Sequence, residues 1–233
     1  MGINKTIIFD IDETLVDNEV FPDNLDIILK EINKLKKQNY SFGICTNRPL
    51  EKFVKKIVDV YMIDDYIICE GGAIFYKKER GKYIEINNYV KKNINDFVKK
   101  KVEIFDKKNY YIFNEDRKTT STIRVLDNSK IDYLVNYLKS FIELKDFDIE
   151  KSNSKILINS KNIDKIKTIN DIYKDCSVIF VSDYERMLSV PNNNIKIYSV
   201  GKDNKFNKRC HAVFNKSTDG VLKILMKEGN KNE

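Results

Sequence analysis

Short apolar runs alternate with helical spacings along the first third of the chain. "KTIIFDID" (5–12) is apolar at every position from Ile7 to Phe9, as a strand buried on both faces requires. "DNLDIILKEINKLKKQ" (23–38) then places Leu25, Ile28, Leu29, Ile32 and Leu35 on one helical stripe, with Asp23 as the expected N-cap. "YSFGICT" (40–46) predicts a second strand, and "PLEKFVKKIVDVY" (49–61) a second helix opened by Pro49. "DYIICEGG" (65–72) predicts a third strand. A β-α-β-α-β run of this kind predicts an α/β fold built on a doubly wound, Rossmann-like parallel sheet.

The rhythm changes after residue 73. "GAIFYKK" and "GKYIEI" predict a hairpin around Gly81, followed by a lysine-rich helix and two strand-like stretches, "YYIFNED" and "TSTIRVLD". A helix at 129–142 and a final strand pair, "FDIEKS" and "KILINS", complete an α+β pattern. From "NIDKIKTINDIY" (162–173) the alternation resumes: helix, strand "CSVIFVSD", strand "NIKIYSV", a short strand at "AVFN" and a last helix in "DGVLKILMK". The expected organisation is a discontinuous core, 1–73 and 159–233, interrupted by an inserted α+β cap at 74–158.

Composition narrows the function classes. With 42% hydrophobic and 33% charged residues, the 233-residue chain reads as a soluble globular protein with room for a substantial core. No apolar run approaches the roughly 20 residues that cross a bilayer, so no membrane partner is expected. The net charge of +7 comes almost wholly from lysine spread over the chain, with six arginines, and no nucleic-acid-binding motif accompanies it. The densest run, "VKKKVEIFDKK" (98–108), reads as a solvated helix face. Four scattered cysteines without a CxxC pair point to a reducing, cytoplasmic setting. The single histidine, His211, excludes multi-histidine zinc sites and is read as structural.

Polar groups fall where open α/β sheets bind ligands, at the carboxyl ends of strands. Asp10 and Asp12 follow the first strand, Thr46 and Asn47 the second, and Asp183 a later one. Carboxylates gathered at one edge repel unless a hard cation joins them, and magnesium suits a small oxygen-rich site that also holds phosphate. A hydroxyl, an amide and a helix-borne lysine would hold phosphate oxygens. Thr46 and Asn47 have a second reading, as caps of the helix expected at Pro49.

These stretches resemble the motifs of the haloacid-dehalogenase-like (HAD) phosphatases. "DIDET" fits their DxDx[TV] first motif, and "ICTNRP" is similar to the second. "NIDKIKTI" resembles the third, with Lys165 at the motif lysine and Lys167 close by, and "VIFVSD" resembles the fourth. "ICEGGAIFY" (68–76) and "AVFNKSTDGVLKIL" (212–225) are similar to the cap-flanking and C-terminal segments of the Cof-type, type IIB-capped branch. The resemblance implies Asp10 as nucleophile and Asp12 as acid and base. It implies Mg2+ held by Asp10, Asp12 (through its carbonyl), Asp183 and Glu185, with Thr46, Asn47 and Lys165 on the phosphoryl group. The substrate implied is a small phosphorylated metabolite, such as a sugar phosphate or phosphoglycolate. Residue types leave open whether water or a sugar hydroxyl accepts the phosphoryl group, so a phosphomutase is the alternative, and a catalytically impaired phosphate-binding or nucleic-acid-binding protein is another. Two departures stand out. Glu13 occupies a position that is glycine in most members, and in "SDYERML" Ser182 replaces glycine with the next acid, Glu185, only two residues after Asp183. In the cap, "NEDRKTTSTIR" (114–124) is the expected selectivity segment, with Arg124 as an anion contact.

Overall fold

The computed structural model describes residues 5–90, 93–104, 110–112, 116–152, 154–183 and 189–230. Its strands are β1 (Lys5–Phe9), β2 (Tyr40–Cys45), β3 (Ile67–Cys69), β4 (Ile74–Glu79), β5 (Lys82–Asn88), β6 (Tyr110–Ile112), β7 (Ser121–Val125), β8 (Phe147–Ser152), β9 (Lys155–Ser160), β10 (Ser177–Ser182), β11 (Ile195–Ser199) and β12 (Ala212–Val213). Its helices are α1 (Leu25–Lys37), α2 (Lys52–Val60), α3 (Ile94–Val102), α4 (Ile131–Lys139), α5 (Lys165–Ile172), α6 (Asn204–Asn207) and α7 (Ser217–Gly229).

Eight strands form one sheet in the order β12-β11-β10-β1-β2-β3-β4-β5. From β12 to β3 every pairing is parallel, and β4 and β5 add an antiparallel edge. The expected doubly wound core is therefore present. The hairpin around Gly81 joins this large sheet through the β3–β4 pairing of Ile67 with Tyr76. The smaller sheet is antiparallel, in the order β6-β7-β9-β8.

The unbroken apolar runs have a direct cause. Successive side chains of a strand point to opposite faces, and here both faces are covered. Ile7, Phe9, Phe42, Ile44, Ile179 and Val181 enter one core cluster with Ile28, Ile32 and Leu35 of α1 and Ile224 of α7. Ile8, Cys45, Val178 and Phe180 enter a second cluster with Ile166 and Ile169 of α5. The small sheet covers only one face, packing Ile123, Val125, Ile156 and Ile158 on α3 and α4. Arg124 lies on its exposed face, opposite Lys155 in the β7–β9 register.

Helix starts differ from the sequence expectation. Asn24, not Asp23, occupies the N-cap of α1, and its side-chain amide donates to Asp219 at 3.4 Å instead of capping. The second helix begins at Lys52, three residues after Pro49, so Thr46 and Asn47 do not cap it. His211 is structural in its contacts: its Nδ1 accepts from the Ile197 amide at 3.0 Å beside the edge of β11.

Candidate active site

The first strand delivers Asp10 to the sheet's carboxyl edge. Its amide continues the ladder by donating to Val181 O at 2.8 Å, and its side chain is 8% exposed. Lys165, the first residue of α5 and fully buried, places Nζ 2.5 Å from Asp10 Oδ2. The Ser182 hydroxyl donates to the same oxygen at 3.2 Å, while the Ile11 amide donates to Oδ1 at 2.7 Å. A carboxylate this deep is tolerable only because its charge is matched and its lone pairs are engaged. Lys167 points elsewhere, donating to Asn162 O at the surface.

The helix that carries Lys165 is fixed at both ends of its first turn. Asp164 caps it by accepting from the Lys167 amide at 2.6 Å. Gly72 packs against the Asp164 carbonyl so closely that a Cβ there would sit 2.6 Å from it, at a φ of +102°. Only glycine meets both demands. The Thr168 hydroxyl then donates to Gly72 O at 2.7 Å.

Asp12 faces Arg48. The guanidinium forks onto the carboxylate, Nε to Oδ2 at 2.9 Å and Nη2 to Oδ1 at 2.8 Å, and its Nη1 reaches Glu19 at 2.6 Å and Glu51 at 3.1 Å. It also lies 4.8 Å from the Phe53 ring centroid. Burial opposes the Arg48 charge, but the Asp12, Glu19 and Glu51 carboxylates outweigh it and the guanidinium pKa is raised. The two parallel contacts fix the orientation of the Asp12 side chain. Thr46 is buried at the end of β2, and its Oγ1 accepts from the Arg48 amide at 3.2 Å. Asn47 is exposed beside it.

Asp183 follows β10, next to β1 in the sheet, and its amide donates to Thr14 Oγ1 at 3.1 Å. Its carbonyl is pressed against Gly201, where a Cβ would lie 1.6 Å from Asp183 O. Asp10, Asp12, Thr46, Lys165 and Asp183 are thus joined along one edge by Ser182, Thr14 and Arg48. Glu185 lies outside the described residues. Among the described residues no three of Asp, Glu, His and Cys converge as a ready metal cage. Glu13 has a φ of 55°, the left-handed region that favours glycine, and pairs with Lys216 at 3.3 Å.

Three residues that the sequence reading did not single out are tied to this edge. Ser182, noted there only as a departure, donates to Asp10. Arg117 Nη1 donates to Asn47 O at 3.0 Å. Glu70, 3% exposed and with a φ of 51°, binds the segment that follows Arg117. Its place in "ICEGGAIFY" was the available signal.

The family model for haloacid dehalogenase-like hydrolases matches residues 7–208. The chain belongs to that family. Solved structures show the same fold in HAD-like proteins over nearly the whole chain. A haloacid dehalogenase-like hydrolase from Bacteroides thetaiotaomicron superposes with a TM-score of 0.72 at 12% identity, covering 96% of this chain and 99% of that one. A HAD subclass IIB sugar phosphatase gives 0.63 at 16% identity, covering 97% and 99%. The C-terminal domain of C. albicans trehalose-6-phosphate phosphatase gives 0.65 at 14% identity, covering 98% and 93%. No curated protein matches the chain in sequence. Asp10, Asp12 and Lys165 all lie within the matched residues of the HAD-like hydrolase model, and Lys165 Nζ lies 2.5 Å from Asp10 Oδ2.

Proposed function

We propose that this HAD-like hydrolase is a magnesium-dependent phosphatase of a small phosphorylated metabolite. The observation that carries the reading is Asp10, a buried carboxylate held by Lys165 and Ser182 at the sheet edge, with Asp12 two residues away under Arg48.

Asp10 attacks phosphorus, forming an acyl phosphate as the bond to the leaving oxygen breaks. Asp12, protonated for this half of the reaction, gives that oxygen its proton. Asp12, now the carboxylate that Arg48 forks, takes a proton from water as it attacks phosphorus; the Asp10–phosphorus bond breaks and phosphate leaves. Thr46, Asn47 and Lys165 hold the phosphoryl oxygens through a loose transition state whose charge spreads over them. Because the Thr46 hydroxyl oxygen accepts from the Arg48 amide, its proton points away from that N–H.

Magnesium fits the donor set. Asp10 and Asp183 end neighbouring parallel strands and offer hard oxygen ligands, and a cation that keeps waters and uses substrate oxygens needs only one or two carboxylates. Asp10, Asp183 and the Asp12 carbonyl would hold it; Glu185, the other ligand expected from the sequence, lies outside the described residues. When bound it supplies positive charge between the attacking carboxylate and the phosphate.

The four-stranded sheet with α3 and α4, drawn from residues 94–160, serves as the cap that chooses the substrate and excludes water. Among the described residues no helix is long and apolar enough to cross a membrane. The cysteines Cys45, Cys69, Cys176 and Cys210 are unbridged, which supports a reducing cytoplasmic setting.

The test is phosphate release from a panel of sugar phosphates, phosphoglycolate and an aryl phosphate with magnesium, beside an Asp10→Asn sample. Release by the native protein alone is expected. No release from any ester, or equal release by Asp10→Asn, overturns the reading. An isomerised phosphate ester without free phosphate would identify a mutase instead.

A further inference from the structure

The loop that follows β2 is held from outside in an orderly way. Its three consecutive carbonyls each accept one hydrogen bond: Thr46 O from the Gly71 amide at 3.0 Å, Asn47 O from Arg117 Nη1 at 3.0 Å, and Arg48 O from the Glu70 amide at 2.9 Å. Two of the three donors are main-chain groups of the turn after β3. The third is a side chain brought in from the cap segment, 70 residues away in sequence.

Arg117 is kept in place by Glu70. The Glu70 carboxylate accepts five hydrogen bonds, from the amides of Lys118 (2.9 Å), Thr119 (2.7 Å) and Thr120 (2.9 Å) and the hydroxyls of Thr119 (2.8 Å) and Thr120 (3.2 Å). The Thr120 hydroxyl donates to Glu70 and accepts from Arg117 Nη1 at 3.0 Å, so one polarised chain runs from guanidinium to carboxylate. Lys118 adds an ion pair to Glu85 of β5 at 2.9 Å.

The peptide unit between Asn47 and Arg48 is therefore gripped at both ends. Its carbonyl is held by Arg117, and its N–H by the Thr46 hydroxyl oxygen at 3.2 Å. Rotation of that unit would release the Thr46 hydroxyl from the N–H that orients it. We propose that Arg117 is a positioning residue for the phosphoryl-binding loop, anchored by Glu70, so that the cap segment sets the orientation of the Thr46 hydroxyl in the core. This rests on the reading of Thr46 as a phosphoryl ligand, and the experiment separates the two.

Inorganic phosphate is titrated calorimetrically into the full chain with magnesium, for native protein, Arg117→Ala, Arg117→Lys, Glu70→Gln and Thr46→Val. Arg117→Ala is expected to weaken phosphate by about 5–10-fold, the worth of one ordinary hydrogen bond passed on through the loop. Arg117→Lys, which keeps a donor for the carbonyl, recovers affinity to within about threefold of native. Glu70→Gln, whose NH2 must face at least one backbone N–H donor and which loses the carboxylate charge, follows Arg117→Ala. Circular dichroism and thermal unfolding accompany each titration, and Arg117→Gln replaces the alanine variant if that fails to fold. Phosphate affinity lost in Thr46→Val but unchanged in Arg117→Ala overturns the coupling and leaves the site reading standing. Unchanged affinity in Thr46→Val overturns the site reading, and the coupling with it. Equal loss in Arg117→Ala and Arg117→Lys, with lowered unfolding temperatures in both, also overturns it, since damage to the fold then accounts for the effect.

Discussion

Replacing Lys165 by Met removes a cation but keeps much of the apolar stem that fills the space beneath the site. The consequence is calculable because both partners are sequestered: Lys165 is fully buried, Asp10 is 8% exposed, and their charged atoms are 2.5 Å apart. At an effective dielectric of about 20 the Coulomb attraction is about 7 kcal/mol, most of it offset by the cost of taking both charges out of water. Removing one partner is different, because it strands the other. Asp10 would keep the Ser182 hydroxyl and the Ile11 amide but no countercharge. The expected loss is about 3–5 kcal/mol, a large share of the roughly 5–15 kcal/mol that holds a domain folded. At this chain length that lowers the unfolding temperature by about 6–20 °C. The assay is urea and thermal unfolding in a chelator, so that no divalent ion substitutes for the lysine. Asp10→Asn combined with Lys165→Met removes both charges together and should come within about 1–2 kcal/mol of the native chain. A single variant that costs less than about 1 kcal/mol, or a double variant as unstable as the single, would refute the pairing argument.

The other contacts give sharper, smaller expectations. Ser182→Ala removes the hydroxyl at 3.2 Å from Asp10 Oδ2, a bond to a charged acceptor worth about 1.5–3 kcal/mol, so kcat should fall about 10–100-fold with KM little changed; steady-state kinetics that show a native kcat would exclude a role for it. Arg48→Lys cannot fork onto both oxygens of Asp12, and kcat on an aryl phosphate should fall about tenfold while the magnesium dependence stays native; an unchanged kcat would mean that the fork does not matter to turnover. Glu13→Gly relieves a left-handed backbone that costs a side chain about 1–2 kcal/mol, against a looser unfolded chain and one lost surface ion pair, so urea unfolding should show a change within about 1 kcal/mol; a loss above about 2 kcal/mol would give the Glu13 side chain a structural role of its own.

How far the sequence alone reaches depends on whether a signal is local. The core strands are legible because burial on both faces leaves no polar position between Ile7 and Phe9 or from Val178 to Val181. Asp10 and Thr46 are legible for the same reason, as the first polar residues after such runs, and Asp183 as the first charged one, just past Ser182. The partner sheet of the hairpin around Gly81 is not, because β5 is mostly solvent-exposed and its membership of the large sheet is decided by the pairing of β3 with β4. Arg117 is hidden more deeply. It sits among lysines and threonines in a polar segment, and its significance depends on Glu70 and Asn47, both distant in the chain. Arg124 draws attention in the sequence as an anion contact, but its neighbour across the sheet is a lysine and its face is exposed. Glu13 shows the middle case. The sequence flags a bulky acid where glycine is usual, and the φ of 55° supplies the reason glycine is favoured there.

The central claim is a covalent phosphoryl group on Asp10. The direct measurement is mass spectrometry of the native chain quenched in acid during turnover of an aryl phosphate with magnesium. The account predicts one added phosphoryl group, removed by hydroxylamine, mapping to the peptide that holds Asp10 and missing in Asp10→Asn. A protein that releases phosphate yet never carries the group, or carries it on another residue, contradicts it.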